Sequence, residues 1–213
     1  MAERNLQELI EGCIRQNRQS QKELYKLYYG YAMAICLRYA NDRDEAAGIM
    51  NQGFFKVFKY LKNYDENRPF KIWLGKIMTN TAIDHYRAAA RMAVVEELDK
   101  AENVSDVDMA DKRLNYNDLL SMIQRLPRAY RLVFNLFAIE GYTHEEIADM
   151  LAISTGASKS NLHKARQKLK LMILAADRND NGNYNGGGIQ FTPIVAMNGI
   201  HLNQNYIINN FLR

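Results

Sequence analysis

Cysteine, proline and tryptophan are scarce in this chain of 213 residues, which holds two, three and one of them respectively. Cys13 and Cys36 each sit inside an apolar helical pattern, so buried reduced thiols are expected and a disulfide framework is not. There is no CxxC pair or Cys/His cluster, and His85, His144, His163 and His201 are too scattered to supply ligands, so no metal is expected. No Gly-rich phosphate loop, nucleophile elbow or paired metal-ligand motif occurs, which removes the common signatures of an enzyme or of a cofactor site. Long hydrophobic runs are missing too. No uninterrupted apolar stretch approaches membrane-spanning length, and no basic-then-apolar leader opens the chain. The expectation is a cytoplasmic protein without membrane insertion, catalytic residues, metal or cofactor.

What is present is helical pattern and unevenly placed charge. Residues 1–95 carry 15 Lys and Arg against 10 Asp and Glu, residues 96–118 carry 3 against 8, and residues 119–176 carry 8 against 4. Two basic blocks separated by an acidic one predict two nucleic-acid-facing domains on a self-avoiding linker. Leu6, Leu9, Ile10, Cys13 and Ile14 keep helical spacing, as do Leu24, Leu27, Tyr28, Tyr31, Ile35 and Tyr39. A third helix is predicted from about Asp44 to Leu61, burying Met50, Phe54, Val57, Phe58 and Leu61. After a polar loop from Asn63, Pro69 suits the first turn of a fourth helix reaching Arg91. The reading is all-α: a helical domain over 1–95, an acidic linker over 96–118, a second helical domain over 119–176, and an Asn/Gly-rich tail of unassigned role over 177–213.

The second domain carries the sharper motif. Gly141 ends a helix whose apolar side includes Leu132, Val133, Leu136, Phe137 and Ile139. Thr143 with Glu146 three residues on forms a capping box, predicting a helix that starts at His144 and buries Ile147, Ala148 and Leu151. Ala152-Ile153-Ser154 is the turn, and Ser154 is a good N-cap for a further helix. On that helix Leu162, Ala165 and Leu169 share one stripe, while Ser160, His163, Lys164 and Gln167 cluster opposite, with Lys159 and Arg166 at the margin. Two short helices joined by a tight turn, the second rich in donors and cations, are the build of a helix-turn-helix. Ser, His and Gln exchange hydrogen bonds with base edges, whereas Lys and Arg hold phosphate.

The helix from Phe70 to Arg91 has a different face. With Lys76 as reference, Trp73, Asn80, Arg87 and Arg91 fall within about 60° of it on the wheel. Leu74, Ile77, Met78 and Thr81 form a separate inward stripe, and His85 lies on that stripe as a satisfied core group. Cations, an amide and the lone Trp on one face suit single-stranded DNA, whose bases stack on aromatics beside a neutralised backbone. The plainer alternative is that Trp73 is core and the cations only solubilise.

Residues 44–58 (DEAAGIMNQGFFKVF) and 68–87 (RPFKIWLGKIMTNTAIDHYR) resemble region 2 of bacterial RNA polymerase sigma factors, and the segment from Leu126 to Lys170 resembles their region 4. The short layout is similar to that of the extracytoplasmic-function (ECF) group. The resemblance implies that the Asp44–Phe58 helix docks on the β′ coiled coil of core RNA polymerase, with Ile49, Asn51, Gln52 and Phe55 as contacts, and that region 4 meets the β flap. Gly48 and Gln52 stand where the family usually carries acids. The resemblance further implies that Asn67, Arg68, Trp73, Lys76, Asn80, Arg87 and Arg91 capture the melted −10 strand. Thr155, Lys159, Ser160, His163, Lys164, Arg166 and Gln167 would then read the duplex −35 element. Ala152 replaces a usual turn Gly, which fits if the turn keeps φ negative. The implied partners are core polymerase, promoter DNA and an anti-sigma factor. A stand-alone helix-turn-helix regulator is the rival, separable by whether the chain needs core enzyme for tight DNA binding.

Overall fold

The computed structural model describes residues 2–93 and 116–180, and every described residue in a regular element is helical. The chain divides into two compact units, residues 1–90 and 91–213. The predicted acidic linker (except residues 116–118) and the tail beyond 180 lie outside the described residues.

In the first unit α1 (Ala2–Ile14), α2 (Arg18–Tyr39), α3 (Arg43–Tyr60), a short 3-10 turn (Leu61–Asn63) and α4 (Phe70–Ala93) follow one another. Their boundaries have local causes. Asn17 caps α2 by accepting from the Ser20 N–H, and Asp42 caps α3 by accepting from the Glu45 N–H at 2.8 Å. Each supplies an acceptor to a helix-start N–H that has no partner within the helix. The interior is apolar: Leu24, Ile35, Met50, Leu61, Leu74 and Met78 are essentially inaccessible. Gly53 faces α4 at a point where an added Cβ would lie 2.4 Å from Met78 Sδ, so only the smallest residue leaves that side chain in place. Both cysteines are free and buried, and burial pushes their thiols up, Cys13 to about 11 and Cys36 to about 12.

Two expectations for α3 need correction. Phe58 is half-buried rather than core. Ile49 is 1% exposed, so it belongs to the interior and offers nothing to a partner.

The second unit holds α5 (Tyr116–Gln124), α6 (Arg128–Phe134), a π-helical extension (Asn135–Ile139), α7 (His144–Leu151) and α8 (Thr155–Asp180). Gly141 has φ +81 and releases the chain from the π-helical segment, as its position in the sequence predicts. Arg131 is 1% exposed and donates from its guanidinium to the Gln124 carbonyl at 2.7 Å, satisfying the open end of α5 from the interior.

The turn after α7 departs from expectation. Ala152 is left-handed, with φ 54 and ψ 46, and its N–H caps back to Ala148 and Asp149 carbonyls. An L-residue pays roughly 1–2 kcal/mol to sit there, and glycine does not. Ala152→Gly is therefore expected to stabilise the second unit by about 1 kcal/mol, less the extra freedom it gives the unfolded chain. Denaturant unfolding followed by circular dichroism reads this, and an unchanged or lowered midpoint would show the turn to be relaxed with Ala.

Candidate nucleic-acid interface

In the first unit the loop before α4 is organised around Asp65. Its carboxylate accepts from the Asn67 N–H and from the Asn67 side-chain amide, both at 3.0 Å, and pairs with Arg68 Nε at 3.5 Å. The Asn67 backbone hydrogen bond, then its side-chain bond, hold the Asp65 carboxyl below its ordinary value of 3.8. A depressed carboxylate stabilises the loop above that value, and the contribution is lost as pH falls through the lower folded one. The Tyr64 hydroxyl donates to the Arg68 carbonyl, closing the loop on itself.

Trp73 is neither of the two extremes the sequence allows. It is half-buried, its ring centroid 5.3 Å from Tyr64 and 5.6 Å from Phe70, while Tyr28 packs on Phe70 at 4.9 Å. Tyr64 and Phe70 pack against the indole, which keeps part of its surface accessible. One turn on, Lys76 and Asn80 are exposed at i and i+4, and Arg87 is half-buried further along. The side chain of Arg91 lies outside the described residues. Asn67 and Arg68 are exposed at the start of the same helix. Thus Trp73, Lys76 and Asn80 share one accessible face, as the wheel predicts.

His85 is one-third exposed and its Nδ1 lies 3.3 Å from Glu45 Oε1, so it is partnered, though less buried than its stripe implies. Its neighbour Asp84 pairs with Lys56 at 2.8 Å. On α3, Gln52, Phe55, Lys56, Lys59 and Tyr60 line a shallow open depression of roughly 300 Å3. Phe55 is 70% exposed at this depression. Asn51 is exposed but accepts from the Tyr25 hydroxyl at 3.0 Å.

In the second unit the capping box forms as expected: Thr143 accepts from the Glu146 N–H, and the Glu146 carboxylate accepts from the Thr143 N–H at 2.8 Å. Ser154 accepts from the Ala157 N–H at 3.0 Å and starts α8. Leu162, Ala165 and Leu169 are buried, and Lys159, Ser160, His163, Lys164 and Gln167 are exposed on the remaining surface. Thr155 and Arg166 are half-buried. Arg166 lies over the Phe137 ring at 5.8 Å, and Lys164 reaches within 5.8 Å of the Tyr130 ring. These contacts restrain two otherwise flexible cations beside the exposed face of α8.

One cluster escapes sequence reading. The His144 ring stacks on Phe137 at 4.6 Å and its Nδ1 lies 2.9 Å from the hydroxyl of the fully buried Ser158. The π-helical segment, α7 and α8 are thereby locked by one histidine, which fixes the angle at which α8 is presented. Burial first, then Lys159 and Arg166, push the His144 imidazole down, favouring its neutral form. Ser158 falls on the buried stripe with Leu162, Ala165 and Leu169, and that spacing is the signal that could have found it.

His163 is the base-reading candidate of α8. His163→Ala is expected to change which upstream sequence is preferred while binding to unrelated duplex stays within about twofold, as selection from a randomised duplex pool would report. A uniform weakening across sequences would make it a phosphate contact instead.

The description "Sigma-70 region 2" matches residues 24–92, and "Sigma-70, region 4" matches residues 116–169. Among curated proteins, the ECF RNA polymerase sigma factor SigE of Mycolicibacterium smegmatis is 30% identical over 154 residues, covering 70% of this chain and 59% of that one. The chain therefore spans less than two thirds of that relative. The RNA polymerase sigma-H factor of Pseudomonas aeruginosa is 24% identical, covering 76% and 91% of the two chains. The ECF sigma factor SigW of Bacillus subtilis is 27% identical, covering 71% and 87%. A solved structure of the sigma factor RpoE with the anti-sigma factor NepR from Bartonella quintana aligns with 72% of this chain and 96% of that one, at 19% identity and a TM-score of 0.46.

Proposed function

This chain belongs to the sigma-70 family of RNA polymerase initiation factors, as a member of its ECF group, and from that premise we propose how its residues divide the work. The protein binds core RNA polymerase and directs promoter-specific initiation. The first unit docks on the β′ coiled coil through the exposed face of α3, with Phe55 as the apolar anchor and Gln52 and Asn51 beside it. An exposed aromatic rimmed by polar groups is the usual form of a binding hot spot. The second unit lays α8 in the major groove of the −35 element and rests against the β flap. Lys159, Lys164 and Arg166 meet phosphate, while Ser160, His163 and Gln167 face base edges and Thr155 sits at the helix start.

Melting follows from unequal affinity for two states of the DNA. A splayed base stacks on the accessible part of Trp73, and Lys76, Asn80, Arg87 and Arg91 follow the strand. The loop with Asn67 and Arg68 is pre-shaped by Asp65 and receives an unstacked base, whose extrusion costs only a few kcal/mol. Duplex DNA makes none of these contacts, so binding energy goes to the open state alone. The acidic segment before α5 connects the two grips. The protein supplies no bond-making chemistry in this reading and works in the cytoplasm with the polymerase. Among the described residues no helix is long and apolar enough to cross a membrane. An anti-sigma factor is proposed as a further partner.

The observation that carries the reading is the pairing, in one chain, of the Trp73–Lys76–Asn80 face with a capped helix-turn-helix. Run-off transcription with purified core enzyme on genomic fragments, scored with permanganate for unpaired thymines, tests it. Start sites that appear only when core and this chain are both present support initiation. Specific, tight duplex binding without core, and no melting with it, would instead make the chain a stand-alone regulator.

A further inference from the structure

Ile173, 1% exposed, is the last buried residue of α8 among those whose side chains are described, and the helix runs on to Asp180. In these last turns Leu171 is 66% and Leu174 41% exposed, although both are large aliphatic side chains. They lie one turn apart and about 60° from each other, in line with Lys164 and Gln167 further up the helix. Leu171 and Leu174 thus form a small apolar strip that nothing among the described residues covers.

The size of the strip limits what can cover it. A stable interface between separate chains buries on the order of 1,200–2,000 Å2, and two leucines supply a small part of that. A contact this small holds only a partner already present at high local concentration. A tethered segment meets that condition, since short flexible linkers give effective concentrations in about the millimolar range.

The chain carries such a segment. Residues 189–213 hold 13 apolar residues and a single charged one, Arg213, and the preceding 181–188 stretch reads NGNYNGGG. From Leu171 to Asp180 the helix axis advances about 14 Å. Eight residues reach at most about 26–29 Å. The strip is therefore within reach of the segment that follows them. Ile207 and Ile208, with Phe211 three and four residues on, offer apolar groups at a spacing that one helix face can present.

We propose that Leu171 and Leu174 are the docking strip for the chain's own C-terminal segment, residues 189–213. This contact is independent of the transcriptional role and is read without polymerase. Hydrogen–deuterium exchange on the full chain decides it. Amides within 189–213 are expected to exchange at least tenfold slower than an unstructured peptide. Leu171→Glu with Leu174→Glu should abolish that protection, because both positions are exposed and tolerate charge without loss of the helix. Ile207→Asp with Ile208→Asp should abolish it from the other side, and cannot disturb α8. Tail amides exchanging at the unstructured rate in the unaltered chain would overturn the proposal. So would protection that survives both double variants, or protection that grows with protein concentration, which marks a second copy as occupant.

Discussion

A Lys76→Glu, Asn80→Asp double variant will keep its affinity for core polymerase within about twofold and lose open-complex formation by a hundredfold or more. Both side chains are exposed on α4, so the substitutions leave the packing of the first unit alone. Each places negative charge where strand phosphate is proposed to run, turning attraction into repulsion. A hundredfold corresponds to about 2.7 kcal/mol, within reach of one reversed charge and one lost amide contact. Permanganate reactivity at the start site and a core-binding assay, run side by side, report the two quantities separately. Equal loss of both would place Lys76 and Asn80 in polymerase docking; retained melting would remove them from the strand path.

The second large effect is thermodynamic. Phe134→Ala is expected to cost the second unit about 3–5 kcal/mol, because its ring is wholly inaccessible and leaves a cavity that neighbouring helices cannot close. Small domains have only about 5–15 kcal/mol to lose. Chemical unfolding followed by circular dichroism should show one transition moving to much lower denaturant and another staying put. Duplex recognition should fail with the first, while binding to core polymerase through α3 persists. Phe134→Leu should be far milder. A single transition shifting as a whole would mean that the two units unfold together.

The parts of this fold that sequence reveals are those set by neighbours in the chain. Thr143 and Glu146 announce the start of α7, Gly141 the end of the helical run before it, and Leu162, Ala165 and Leu169 the buried side of α8; each takes its predicted place. The exposed face of Trp73, Lys76 and Asn80 is legible for the same reason, since a helical wheel needs only the period. Most of the inward side of α3 is legible too: Met50, Phe54 and Val57 are buried as the period predicts, and Phe55 is 70% exposed. The margins of that side are not, because contact with other helices buries Ile49 and leaves Phe58 half-buried. The His144–Phe137–Ser158 lock joins residues from three elements, and no local rule predicts a stack between them. Nor does composition foretell the left-handed Ala152, because the residue there gives no hint of the backbone it adopts.

The single tryptophan gives the molecule an intrinsic optical reporter. Its indole packs against Tyr64 and Phe70 and stays half-buried, and a base is proposed to stack on what remains accessible. Stacking would quench its emission, and this chain's share of the signal would arise from one site. Rapid mixing with promoter fragments and core enzyme, itself corrected for its own fluorescence by a Trp73→Phe chain, would therefore time the moment of strand capture without a dye or a modified nucleotide.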